Sequence, residues 1–362
     1  DPRLISRDTE AFAGAKAQEE AREAGGGKAR QFLNGLVMEE AVPDETNGPK
    51  RLGLDEMVDR ILRATRSFAR DQIRLRLPRM GDVVGDLDPV GLAPLEQFAL
   101  GAALLDDLLV GATPEEAVER LAARAAIPEG VPGALAARAL REEVAEIARM
   151  GRARCSGVRL PDVETTIELK VEGLGSCALV GSLDRLWPEG RIQVGFGRID
   201  RRGEFDVWIR HLFLCAAVED GLDYPAKSIL VGRTKDRKSV EHVVVFEPVA
   251  DSKSHLARLF EWAWLASTSP LPFFPKASKD FAELALEGKL DQAWRKAQQT
   301  YYGGDSGGFL MPEFDEELEH ARLWEGVSPL EPGPDMPLRF RFDELAETFF
   351  QPLFAARQVE IE

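Results

Sequence analysis

The chain is short of cysteine, histidine and positive charge, and each shortage removes a class of protein. Its three cysteines, Cys155, Cys177 and Cys215, lie far apart with no CxxC pair. Neither a disulfide framework nor a thiolate metal centre is expected, and buried free thiols in a reducing compartment are the reading. The histidines, His211, His242, His255 and His320, show no ligand spacing, and no GxSxG, Walker A or GxGxxG pattern occurs. Apolar runs are too short to span a bilayer, and the opening Asp1-Pro2-Arg3-Leu4 has neither Met nor the apolar core of a signal peptide. The expectation is a cytoplasmic chain that is a piece of a longer one. With 46 Lys and Arg against 62 Asp and Glu, the net charge is -16. That balance argues against a free, nonspecific nucleic-acid binder, so any DNA contact must come from local basic patches.

What is present is a chain of 362 residues, 44% hydrophobic, with room for two or three structural units. Residues 1–50 are polar and Gly-rich, with a helical candidate over Asp8–Ala24, and read as the end of a preceding region plus a linker. Residues 51–155 read as a helical region. Leu54, Met57, Val58, Ile61 and Leu62 form an apolar stripe, Thr113-Pro114-Glu115-Glu116 a capped helix start, and Pro128 to Gly133 a break. On the first of these helices Arg60, Arg63, Arg66 and Arg70 recur every three or four residues, which gathers them on one face. That face is either solvated and paired to nearby acids, or a contact for a phosphate backbone or an acidic partner.

Between 156 and 250 the apolar period changes from 3.6 to 2. Thr165–Val171, Cys177–Leu186 and Ile192–Phe196 read as a meander of strands, Phe205–Val218 as an apolar helix, and Ser228–Val231 and Val243–Phe246 as two more strands. The order describes a mixed sheet flanked by helices. Residues 251–362 return to helix, through His255–Ser267, Ala277–Gln299, Asp315–Leu323 and Phe342–Phe354.

The stretch Ala178–Asp200 carries the chemical signal. It reads as a β-hairpin turning at Pro188-Glu189-Gly190, with Asp184 near the end of its first strand. A Mg²⁺-dependent phosphodiesterase of this layout needs an acid and a Lys alternating on the second strand, on the face of that Asp. The positions read Gly195-Phe196-Gly197, and glycine neither ligates a metal nor moves a proton. Lys170, Glu204 and Asp206 are the available displaced donors, although acids at 204 and 206 equally suit a helix N-terminus. His211 lies on an apolar helix face and reads as a hydrogen-bonded core residue. Two basic clusters surround the hairpin: Arg191, Arg198, Arg201 and Arg202, and the loop of Arg233, Lys235, Arg237 and Lys238. They are solvated loop charges or the rim on which a phosphate backbone lies. Trp208, Trp262 and Trp264 read as core, whereas Phe273 and Phe274, between prolines, read as an exposed pair able to act as a wedge or partner anchor.

These pieces, taken in order, resemble the C-terminal region of the RecC family, the gamma chain of exonuclease V. The resemblance is carried by LPFFPKASKDFAELALEGKLDQAWRKAQQTYYG (Leu271–Gly303), supported by Leu54–Leu77, Leu95–Gly111, GSLDRLW (Gly181–Trp187), WIRHLFLCA (Trp208–Ala216) and LAETFFQPLFAA (Leu345–Ala356). It implies a restriction-endonuclease-like PD-(D/E)xK core with helical N- and C-terminal additions. It further implies a noncatalytic role without cofactors, binding DNA and holding together RecB-like and RecD-like subunits in double-strand-break repair by homologous recombination. In that family the nuclease-like domain carries a pin that splits the duplex, and the helicase-like regions that inspect DNA for Chi lie outside this stretch. Two alternatives stay open: a divergent Mg²⁺-dependent exonuclease with ligands recruited around Asp184, and a protein-interaction module without DNA contact.

Overall fold

The computed structural model describes residues 50–77, 94–123, 130–155, 157–233, 242–304, 311–331 and 340–361, with Lys16 in addition. Most of the helical candidate over Asp8–Ala24 and the loop residues Lys235, Arg237 and Lys238 lie outside the described residues.

A short strand β1 (Lys50–Gly53) leads into α1 (Leu54–Leu62) and α2 (Ala64–Asp71). The single arginine-bearing helix expected here is broken at Arg63, whose φ of -132° and ψ of 51° leave the helical region. Then come α3 (Pro94–Leu109), α4 (Pro114–Ala123) and α5 (Gly130–Arg154). Helix α4 starts on a capping box: Glu116 N–H donates to Thr113 Oγ1 at 3.2 Å and Thr113 N–H to Glu116 Oε2 at 2.9 Å.

The strands follow as β2 (Val163–Val171), β3 (Gly175–Leu183), β4 (Leu186–Trp187) and β5 (Gly190–Arg198), then α6 (Arg201–Glu219), β6 (Ser228–Arg233) and β7 (His242–Phe246). The C-terminal part contains α7 (Ser252–Thr268), α8 (Pro275–Leu286), α9 (Leu290–Tyr302), a 3-10 turn (Glu313–Glu316), α10 (Leu318–Leu323), α11 (Phe342–Ala356) and a last strand, β8 (Arg357–Ile361). No helix among the described residues is long and apolar enough to cross a membrane.

The strands form two sheets rather than one meander. One has the order β1-β3-β2, with β1 parallel to β3; the other runs β4-β5-β6-β7-β8, with β5 and β6 parallel and the remaining pairs antiparallel. The expected second strand, Cys177–Leu186, is divided between them at Asp184 and Arg185. Arg185 takes a left-handed φ of 56°, a conformation that interrupts the pleat of an L-residue strand. The chain is mixed α/β, with helices on both faces of the five-stranded sheet.

Alternation along β6 and β7 explains that sandwich. Ile229, Val231, Val243 and Val245 face a core made with α3, α4 and α5, whereas Leu230, Val244 and Phe246 face the larger core of α6, α7, α8 and α11. Helix α6 is buried around most of its circumference. Trp208, Phe205, Leu212 and Phe213 are each at most 1% exposed, and burying each such side chain stabilises by about 1.5–3 kcal/mol. Its entry is fixed by Asp200, whose carboxylate accepts from Gly203 N–H at 2.6 Å. On the opposite face, α3 comes so near to β5 that a Cβ on Gly101 would run into the Phe196 ring, so glycine there permits the close approach. The three cysteines are free thiols, two of them buried.

Candidate nucleic-acid interface

Asp184 sits at the corner between the two sheets, but an arginine answers it. Arg191 Nη2 donates to Asp184 Oδ1 at 2.8 Å and to Gln193 Oε1 at 3.3 Å, and the Arg191 side chain is 1% exposed. Arg191 and Gln193 are alternate residues of β5, so they share the face turned toward α6. Partial burial pushes the Asp184 carboxyl up. The charges of Arg191, and then of Arg185 and Arg210, outweigh this and hold its pKa below the usual carboxylate value. The expectation that Arg191 reaches DNA is therefore corrected. It is an internal cation committed to Asp184, and its Nε and Nη1 have no hydrogen-bond partner among the described residues.

The two glycines also stand differently from what simple alternation predicts. Between Val194 and Arg198 the register of β5 against β6 shifts, placing Gly195, Phe196 and Gly197 in an irregular stretch. A Cβ on Gly197 would meet the ring of Phe98 of α3 at 2.9 Å, on the side of the sheet away from α6, while one on Gly195 would have only ordinary contact with Val231 O at 3.7 Å. Gly197 thus does not share the face of Asp184.

The displaced donors do not converge either. Glu204 is 2% exposed and bound by Lys279 and by Arg357, the latter at 3.0 Å, and Asp206 accepts from Arg210 at 2.9 Å. Lys170 is exposed on β2. Among the described residues no group of three His, Cys, Asp or Glu is placed to hold a metal ion. A divalent cation does not fit at Asp184, because the neighbouring donor is a buried guanidinium rather than a second carboxylate. His211 is a core residue, as its apolar setting suggested. Its ring nitrogens bond Ser228 Oγ and Glu247 O, each at 3.0 Å, and burial lowers its pKa to about 4, so the imidazole is neutral at physiological pH.

The basic rim is largely turned inward. Arg201 forms a bidentate pair with Asp280, at 2.7 and 2.8 Å, which ties the start of α6 to α8. Arg202 lies among Glu316 at 3.2 Å, Glu313 at 3.6 Å and Glu317 at 3.8 Å. Arg198 alone of this cluster is an exposed residue. The side chain of Arg233 lies outside the described residues. Phe273 and Phe274 are corrected as well: they are 2% and 0% exposed. Phe273 packs on Phe205 and Phe349, and Phe274 on Tyr301 and His320, so neither is an exposed wedge or anchor.

Basic charge does gather elsewhere, on α1 and α2. Arg63, Arg66 and Arg70 line a groove of about 560 Å³ together with Arg76, Leu75 and Leu77. Arg60 does not line the groove; its side chain is 16% exposed and paired to Glu56 at 2.8 Å and to Asp71 at 3.8 Å. The acids of the groove are Asp59, which Arg63 and Arg70 share, and Glu319, 3.6 Å from Arg66. Behind it lies a buried acidic turn. Glu313 accepts from the N–H groups of Lys276 and Ala277, at 3.0 and 2.8 Å, at the start of α8. Burial raises Glu317 to about 7, although Arg202 and Arg63 oppose that rise. Sequence reading missed this turn and Arg76, because nothing local shows that Glu313–Glu319 packs against residues 63–66.

A family model described as the RecC C-terminal domain matches residues 49–285. The curated RecBCD enzyme subunit RecC of Mycobacterium tuberculosis (strain ATCC 25618 / H37Rv) is 25% identical over 256 residues, covering 70% of this chain and 22% of that protein. The RecBCD enzyme subunit RecC of Mycolicibacterium smegmatis (strain ATCC 700084 / mc(2)155) is 25% identical over 296 residues, covering 79% of this chain and 26% of that protein. The chain therefore spans about a quarter of the length of these relatives. Since the family model covers well over half of the 362 residues, the chain belongs to the RecC C-terminal domain family.

Proposed function

We propose that this chain is a noncatalytic DNA-handling and scaffold domain of a RecC subunit. In this reading it works in the cytoplasm with RecB-like and RecD-like subunits, in a helicase-nuclease that processes DNA ends for recombinational repair. The core is read as a PD-(D/E)xK nuclease fold that has lost its chemistry. Asp184 directly follows β3, α6 follows β5, and β6 runs parallel to β5. The observation that carries the noncatalytic reading is the ion pair of Asp184 with the buried Arg191. In-line attack on a phosphodiester with metal assistance needs carboxylates that share the cation and a group that positions the water. Here the one carboxylate at the corner is neutralised from within.

The test is incubation of linear DNA with the chain in Mg²⁺ or Mn²⁺. No cleavage above background is expected. Cleavage that disappears on Asp184→Ala would overturn the reading in favour of a divergent exonuclease. The internal pairing of Arg191, Arg201 and Arg202 favours a second reading, a protein-interaction module without DNA contact. Loss of partner-subunit assembly on charge reversal of Arg63 and Arg70, with DNA handling by the reconstituted complex unchanged on charge reversal of Arg233, Lys235, Arg237 and Lys238, would support it.

A further inference from the structure

The groove on α1 and α2 has a chemistry that its fold does not use up. The Arg66 side chain makes no hydrogen bond among the described residues; its ion-pair partner, Glu319, is 3.6 Å away. Arg76 is exposed and has no ion pair among the described residues. Arg63 and Arg70 are held in orientation by Asp59 and Asp71, Arg70 through a bidentate pair at 2.7 and 3.1 Å, yet their side chains remain 45% and 33% exposed. Such guanidinium groups are preorganised, with donors left over for an anion.

We propose that this groove binds the phosphodiester backbone of a DNA strand, an assignment that rests on the reading of the chain as a DNA-handling domain. In a protein of net charge -16, a groove lined by four arginines and two acids, with Asp71 beside Arg70 as a third, still carries a local surplus of positive charge. At 1.5 Å per residue, Arg63 to Arg70 covers roughly 10 Å along the helices, enough to reach about two successive phosphates of one strand. Arg66 and Arg76 offer guanidinium forks to non-bridging phosphate oxygens, while Leu75 and Leu77 supply apolar surface for the sugars. An acidic side chain of a partner protein would instead compete with Asp59 and Glu319 one carboxylate at a time.

The experiment measures anisotropy of a short fluorescein-labelled single strand with the full chain, across roughly 50–200 mM salt. Arg66→Glu/Arg76→Glu is expected to weaken binding about tenfold and to reduce the log-log salt slope by about 1.4, since each phosphate neutralised on a single strand accounts for about 0.7. Arg138→Glu/Arg295→Glu makes the same charge change on exposed residues elsewhere and is expected to leave the slope unchanged. Arg76→Glu alone decides the matter if the double variant loses its circular dichroism spectrum. DNA binding that survives both reversals overturns the groove while sparing the DNA-handling reading. A wild-type chain that fails to bind DNA at the lowest salt overturns that reading and the groove with it. Labelled polyglutamate bound in an Arg66- and Arg76-dependent way, with DNA unaffected by the same substitutions, assigns the groove to an acidic polypeptide and overturns the phosphate assignment.

Discussion

At the scale of single residues, the decisive feature is the buried cation that answers Asp184. Arg191 is buried and forms its ion pair with Asp184, so Asp184→Asn leaves a buried guanidinium without its paired counter-ion. Breaking buried pairs costs about 3–5 kcal/mol, and the half-exposed position of Asp184 puts this case near the lower end, about 3 kcal/mol in urea unfolding. Arg191→Met, which removes the charge and keeps much of the volume, is expected to cost less than Asp184→Asn. The reverse order would show that the pair is not what holds this corner. Because Asp184 is held below its ordinary pKa, its contribution is complete above that ordinary value and fades as pH falls through the folded value. Sequence reading found Asp184 but assigned Arg191 to the surface. Its burial follows from strand alternation on β5 and from the corner at Arg185, and a left-handed non-glycine residue leaves no mark in the sequence.

At the scale of elements, α8 is organised by acids from a distant turn. Glu313 receives two N–H groups of its first turn, and Glu317, beside it, is buried with both carboxylate oxygens lacking hydrogen bonds among the described residues. Burial lifts Glu317 from its ordinary 4.5 to about 7, so the folded protein holds a proton that the unfolded chain has released. The sign follows from linkage. This contribution is fully present below pH 4.5 and is lost as pH rises through about 7, amounting to about 3 kcal/mol at 1.36 kcal/mol per unit. Glu317→Gln is expected to gain on wild type progressively between roughly pH 5 and pH 8. The difference between the two proteins is the quantity to follow, since His211 and His320, each lowered by burial to about 4, pull stability the other way. A difference that stays flat with pH would mean Glu317 is ionised throughout. The long periodic elements around this turn were legible. Alternation placed β2, β6 and β7, and the all-round apolar pattern placed α6. Strands β1 and β8 were not, because their mostly polar sequences, KRLG and RQVEI, are strands by virtue of the edge they join, whereas the equally short β7 is an apolar run.

At the scale of the whole molecule, the last strand closes an edge that the rest of the fold leaves open. Strand β7 alternates Val243 and Val245 on one core with Val244 and Phe246 on the other, and β8 pairs with it from His242–Ile361 to Phe246–Arg357. Without β8, an apolar strand buried on both faces presents a free row of N–H and C=O groups, the template for pairing with another chain. Arg357 adds a second role, joining Glu204 of α6 at 3.0 Å and Glu283 of α8 at 2.7 Å. Glu204 is 2% exposed, and Lys279 remains its partner if Arg357 is lost. Deleting residues 357–361 removes both functions, whereas Arg357→Gln removes only the charge pairs. The substitution is expected to lower stability by about 1.5–3 kcal/mol, the range for a hydrogen bond to a charged group, and to leave the protein monodisperse by light scattering. The deletion is expected to produce concentration-dependent association under the same conditions. Equal association of the two proteins would trace the effect to the Glu204 cluster rather than to the open edge, and a monodisperse deletion would show that β7 needs no cover.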